Sequence, residues 1–183
     1  MKKILLAASI VLGASTITGM IAAPQMDVSA KTTEMSASFA KKLKEGGLPN
    51  TKGKIGMTYK TLKKVVPKKK EYAAEKYVYM AKNKDMFHLN YNEKLGKPKN
   101  TNTVVALSRE YSNLISSSSV KKQLGKPYRG KSIEGGKDVG THIYKAGKNY
   151  VYIYADKKSN TTSLYMGKRD LIQMLAGVSD IYR

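Results

Sequence analysis

The chain has 183 residues, 34 of them Lys or Arg against 13 Asp or Glu, with 13 Tyr, two His and neither Cys nor Trp. These counts exclude a disulfide scaffold, a thiol enzyme, any Cys-ligated zinc site and a His-rich metal centre, and no cofactor motif is present. A formal charge of +21 says little about fold, but it selects what adheres to the surface: phosphate backbones, anionic wall polymers, acidic glycans or an anionic membrane.

Met1-Lys2-Lys3 is a short basic lead, and Ile4–Ala23 is apolar or small but interrupted by Gly13, Ser15, Thr16, Thr18 and Gly19. Val28-Ser29-Ala30 supplies the small residues that signal peptidase accepts, so residues 1–30 read as a secretory signal cut before Lys31. The interruptions shorten the apolar run below the roughly 20 residues that span a bilayer. No Cys follows it for lipid attachment, and nothing later is apolar enough for a span. The expected mature chain, residues 31–183, carries 32 basic and 12 acidic side chains, a formal +20. That length suits one small α+β domain with a modest core. An exported chain without cysteine suits a Gram-positive host that does not depend on disulfides.

Met35, Phe39 and Leu43 lie four apart and predict a first helix, stopped at Gly46-Gly47. An internal repeat follows. Thr58–Pro67 (TYKTLKKVVP) aligns with Ser116–Gly125 (SSSSVKKQLG) at an offset of 58 residues. Each segment opens with hydroxyl residues fit for an N-cap, carries apolar residues four apart, holds a Lys-Lys pair on the other face and ends at Pro or Gly. Downstream, Tyr77–Ala81 matches His142–Ala146, Met86–Tyr91 matches Tyr150–Ala155, and Asn102–Val104 matches Asn160–Thr162. Longer loops at Glu93–Asn100 and Arg129–Val139 absorb the drift in offset.

Each copy therefore reads as a helix plus three antiparallel strands joined by polar turns such as Lys82–Asp85, Gly147–Asn149 and Asp156–Asn160. The first copy covers about 54–110, the second about 116–169, and Leu171, Ile172, Leu175 and Val178 predict a last helix over about 170–181. The expected architecture is a tandem pseudo-repeat with helices packed on one face of the sheet and helices flanking the pair. Alternation points Phe87, Leu89 and Tyr91, and equivalently Val151, Ile153 and Ala155, at the helices. Met86, His88 and Asn90, and Tyr150, Tyr152 and Tyr154, then form the open face.

Gly56-Met57-Thr58 with Leu62 four residues on, and Val120 leading to Leu124-Gly125-Lys126-Pro127, resemble the G-x-T…V…lGkP signature. That signature opens each half of the β-lactamase-inhibitor-like two-repeat fold. The mature chain's size, basic charge and Tyr-containing strands are also similar to the immunodominant staphylococcal antigen B family, whose members are secreted and bind extracellular nucleic acid. The resemblance runs from about Lys54 to Lys168 and implies the two-repeat fold and nucleic-acid binding. It carries over no catalytic or ligand residue, and the first copy departs from the signature with Val66-Pro67-Lys68-Lys69.

Enzyme motifs are absent. His88 and His142 occupy different positions in the two copies with no Ser elbow, metal motif or phosphate loop beside them, and Glu71 and Glu75, four apart in a Lys-dense stretch, read as charge compensation. The basic clusters carry the signal: Lys41-Lys42/Lys44, Lys52/Lys54, Lys60/Lys63-Lys64, Lys68-Lys69-Lys70, Lys97/Lys99, Lys121-Lys122/Lys126 with Arg129 nearby, and Lys157-Lys158. Lys outnumbers Arg 30 to 4, which favours diffuse backbone contacts over bidentate reading of guanine. Tyr150, Tyr152 and Tyr154, with Tyr144 and Tyr165 on neighbouring strands, offer a face for base stacking worth ~1–3 kcal/mol per base. The alternative is that the terminal helices cover this face and the rings belong to the core. The expected function is sequence-tolerant binding of DNA, RNA or another polyanion without catalysis. The competing expectations are a protein-binding module directed at a host or secreted protein, and a wall protein held by teichoic acid.

Overall fold

Hydroxyl side chains start the first three helices. Ser36, Thr58 and Ser116 each accept a hydrogen bond from the backbone N–H three residues on, at Phe39, Thr61 and Ser119. Each bond satisfies a donor that the first turn leaves orphaned. The helices are α1 (Ala37–Lys44), α2 (Tyr59–Val65) and α3 (Ser117–Leu124). Gly46 and Gly125, at φ 82° and 86°, end α1 and α3, and Pro67 follows α2. All three carry lysines in the last turn and no acid in the first. Cations at a helix C-terminus are favourable in their own right.

The computed structural model describes residues 32–73, 76–91, 97–132 and 142–182. The expected signal segment, Glu75 and parts of both variable loops lie outside them. The strands are β1 (Thr32–Thr33), β2 (Lys68–Ala73), β3 (Tyr77–Ala81), β4 (Met86–Leu89), β5 (Val104–Tyr111), β6 (Leu114–Ile115), β7 (Arg129–Ser132), β8 (Ile143–Ala146), β9 (Asn149–Asp156), β10 (Thr161–Gly167) and β11 (Val178–Tyr182). Seven of them form one antiparallel sheet in the order β2-β3-β4-β5-β10-β9-β8. β5 and β10 meet at its centre, from Thr162 opposite Tyr111 to Gly167 opposite Ala106. β1 pairs with β6 in parallel, and β7 with β11 antiparallel. The chain is thus mixed α+β with a mostly antiparallel sheet, as its sequence predicts.

Alternation fixes the buried face. Phe87, Leu89, Val151 and Ile153 are 0%, 0%, 0% and 6% exposed and share one core cluster with Leu43 of α1, Leu62 of α2 and Val120 of α3. A second, smaller cluster holds Ile143, Ile172, Val178 and Ile181, with Tyr150, Tyr152 and Tyr165 packed against it. Ile143 neighbours Tyr144 of the first cluster, so the second cluster lies on the opposite face of the sheet.

Four sequence expectations need correction. The last helix, α4, covers only Arg169–Leu175; Gly177 at φ 65° ends it, and Val178–Tyr182 is a strand. α4 contributes Ile172 to the second cluster, so the helices do not all pack on one face. Lys68–Lys70 open a further strand, β2, at the sheet edge rather than trailing the helix. Ala155 is exposed although it points to the same side as Val151 and Ile153. Among the described residues no helix is long and apolar enough to cross a membrane.

Candidate functional site

The turn after α3 gathers cations. Gly125 turns the chain away from the helix, and Tyr128 then bridges to Ile143, its N–H donating to the Ile143 carbonyl at 2.6 Å. This closes a cleft of about 540 Å³ lined by Lys121, Lys126, Arg129, His142 and Tyr128, with no carboxylate among the described residues that line it. Tyr128 meets Tyr150 edge to face at 5.6 Å, and Lys145 Nζ lies 4.1 Å from the centre of the Tyr150 ring. Lys145 and Tyr150 are direct cross-strand partners. The result is a strip of cations and rings along the β8 edge, in which the rings hold the cations in place and the cations suit phosphates.

The structure thus brings Lys121, Lys126 and Arg129 together and adds Tyr128, His142 and Lys145. Lys122 is exposed on α3 but does not line the cleft. The remaining predicted cations lie in the other half. Lys60, Lys63 and Lys64 are exposed on α2; Lys63 Nζ sits 4.2 Å from the Tyr59 ring centre and donates to Asn100 Oδ1 at 3.1 Å. Lys68, Lys69 and Lys70 are exposed on edge strand β2, where Lys68 pairs with Glu71 at 3.4 Å and Lys70 lies 5.2 Å from the Tyr72 ring centre. Lysines along an edge also block pairing with another chain.

The Tyr row is divided. Tyr150 is half-buried against the second cluster. Tyr152 is half-buried and stacks on its cross-strand partner Tyr165 at 6.0 Å and 22°. Burial, then the neighbouring Tyr154 and Tyr165, push the Tyr152 hydroxyl pKa up. Only Tyr154 stands out, at 53% exposed. The expectation of three open stacking rings is therefore corrected to one, because α4 and β11 supply the apolar cluster against which the other two pack. The row also lies on the face opposite α2 and α3, so Lys63-Lys64 and Lys121-Lys122 do not share a surface with it.

The groups weighed for chemistry have structural partners. Glu71 accepts hydrogen bonds from Tyr59 at 2.6 Å and Tyr77 at 3.4 Å, and burial followed by this hydrogen bond raises the Tyr59 pKa. His88 Nε2 lies 3.1 Å from Ser108 Oγ, and burial pushes its pKa below the usual histidine value. Among the described residues no cluster of His, Asp or Glu is placed to hold a metal ion. The sequence expectation did not include Tyr128 or Lys145. The Lys145–Tyr150 pair was readable from the Gly147-Lys148 turn, which sets the register; the approach of Tyr128 to β8 is non-local. No protein-family model, curated protein or solved structure matches this chain.

Proposed function

We propose that the protein is a secreted, non-enzymatic binder of polyanions, foremost nucleic acid held through its phosphates without sequence preference. The observation that carries this reading is the cleft of Lys121, Lys126 and Arg129, extended by Lys145 over Tyr150. Three cations converge there, and neutralising phosphates with them releases counterions, the main source of sequence-independent affinity. The resemblance to the antigen B family supports the same reading. So does a two-repeat interpretation of the fold: each half runs from a hydroxyl-capped helix into a meander, the halves meet at β5 and β10, and Lys63-Lys64 and Lys121-Lys122 become equivalent.

The test is fluorescence anisotropy of a labelled oligonucleotide across a salt series. Log K should fall linearly with log salt, and replacing Lys121, Lys126 and Arg129 with Gln should reduce the duplex slope by about 0.9 for each phosphate no longer neutralised. Absence of oligonucleotide binding near physiological salt would overturn the nucleic-acid reading. Release of the protein from cells by salt washing, without oligonucleotide binding, would instead assign the charge to teichoic acid. A protein-binding reading is favoured by the exposed Tyr154 and Met174, 53% and 41% accessible. It requires a saturable protein partner that survives high salt.

A further inference from the structure

The cleft after α3 holds one residue whose charge depends on conditions. His142 lines it beside Lys121, Lys126 and Arg129, and it is exposed, as all three cations are. Hydrogen bonds fix the backbone around it: the His142 carbonyl accepts from the Ile153 N–H at 3.1 Å, and the next carbonyl, that of Ile143, accepts from Tyr128 at 2.6 Å. The residue is thereby held between α3 and the β8 edge, and on its other side it borders an opening that Ser116, Ser117, Tyr144 and Lys157 also line. The titratable groups facing it are therefore Lys121 from α3, Lys126 and Tyr128 from the turn, Arg129 from β7, Tyr144 from β8 and Lys157 from beyond β9. No carboxylate among the described residues lines either opening. His88, the chain's other histidine, lies on β4 with Nε2 3.1 Å from Ser108 Oγ and takes no part in the cleft.

We propose that His142 is a proton-dependent phosphate ligand, so that the cleft holds phosphodiesters more tightly in mildly acidic than in neutral surroundings. The inference rests on the polyanion reading and adds a condition to it. Histidine is the side chain that changes charge in this range, whereas lysine and arginine stay cationic across it. A neutral imidazole offers a phosphate one N–H, and a protonated one offers a cation with two. Hydrogen bonds between charged partners are shorter and roughly twice as strong as neutral ones. A phosphate seated in the cleft favours the protonated ring in turn, because an opposite charge nearby stabilises the charged form. The two effects are one coupling seen from either side: binding takes up a proton, and a proton tightens binding. With no carboxylate lining the cleft to pair with the imidazolium, its charge is directed at the ligand.

The probe is a single-stranded thymidine oligonucleotide without terminal phosphates, because its phosphodiesters and thymines keep one charge state throughout. Anisotropy titrations at about pH 7.5 and about pH 5.5 bracket the histidine range. The native chain should bind about five- to tenfold more tightly at the lower pH. Its slope of log K against log salt should steepen there by up to about 0.7, the share of one further phosphate on a single strand. His142→Gln should give the same affinity and slope at both pH values. His142→Lys, charged throughout, should bind at neutral pH as the native chain binds in acid, a rescue that a merely structural role would not produce. His88→Gln should keep the full pH dependence. Oligonucleotide binding of equal strength at both pH values would overturn the proposal and leave the polyanion reading standing. A pH dependence that survives in His142→Gln would likewise overturn it, since the proton then goes elsewhere. Absence of binding at both pH values would instead remove the polyanion reading, and this inference with it.

Discussion

Asp85 is fully buried in the turn after β3, where Arg109 forks onto it, Nε at 2.5 Å and Nη2 at 2.7 Å, with Asn83 Nδ2 donating at 2.9 Å. A bidentate pair of this kind is strong only while both partners remain. Arg109→Met should cost about 3–5 kcal/mol in urea unfolding, and Asp85→Leu combined with Arg109→Met should recover much of the loss. A double variant as unstable as the single one would show that the orphaned carboxylate is not the cause. His88 makes a separate demand on pH. Its folded pKa lies below the ordinary 6.5 because it is buried, so the unfolded chain takes up the proton first. Its contribution to stability is intact above the unfolded pKa and is lost as pH falls towards the folded value. Unfolding midpoints measured from about pH 7.5 to about pH 5 should therefore fall more steeply for the native chain than for His88→Gln. Parallel curves would sink this assignment.

The β8–β9 hairpin shows how tightly elements lock together. Gly147 has φ 59°, and a Cβ there would lie 2.3 Å from the Lys44 carbonyl oxygen at the end of α1. Gly177 also has positive φ, at 65°, but faces open space. Gly177→Ala should cost only the conformational penalty of about 1–2 kcal/mol, whereas Gly147→Ala must also push α1 off the sheet and should melt several degrees lower. Equal melting temperatures would mean that α1 yields without cost. Elements made by local rules were legible in the sequence: the hydroxyl caps at Thr58 and Ser116, the four-residue apolar spacing of α1, and the alternation that buries Val151 and Ile153. Elements made by distant pairing were not. Lys68–Lys70 look like a solvated charge run until Glu71 and Tyr72 pair with Tyr79 and Val78. Leu171, Ile172, Leu175 and Val178 fit a helical stripe, yet Gly177 breaks it and Val178 joins β7, far back in the chain. The candidate cleft shares that limit, since Lys121, Arg129 and His142 converge only after Tyr128 has found Ile143.

Across the whole molecule the predicted cations fall at two ends of one sheet. Lys60, Lys63, Lys64 and Lys68–Lys70 belong to the β2 end, and Lys121, Lys126 and Arg129 to the β8 end. Six interstrand steps of about 4.8 Å separate the two edge strands by about 29 Å. Duplex DNA rises about 3.4 Å per base pair, so about nine base pairs are needed to reach from one end to the other. A duplex of about six base pairs can use only one end, and the cleft is the better site because its cations converge. Its affinity should therefore be insensitive to replacing Lys63, Lys64, Lys68, Lys69 and Lys70 with Gln. A duplex of about 16 base pairs spans both ends, so the same substitutions should weaken it and lower its slope of log K against log salt. Edge lysines that merely protect β2 from pairing predict no change at either length. Equal losses at both lengths would place the primary site at the β2 end and reverse the assignment of the cleft.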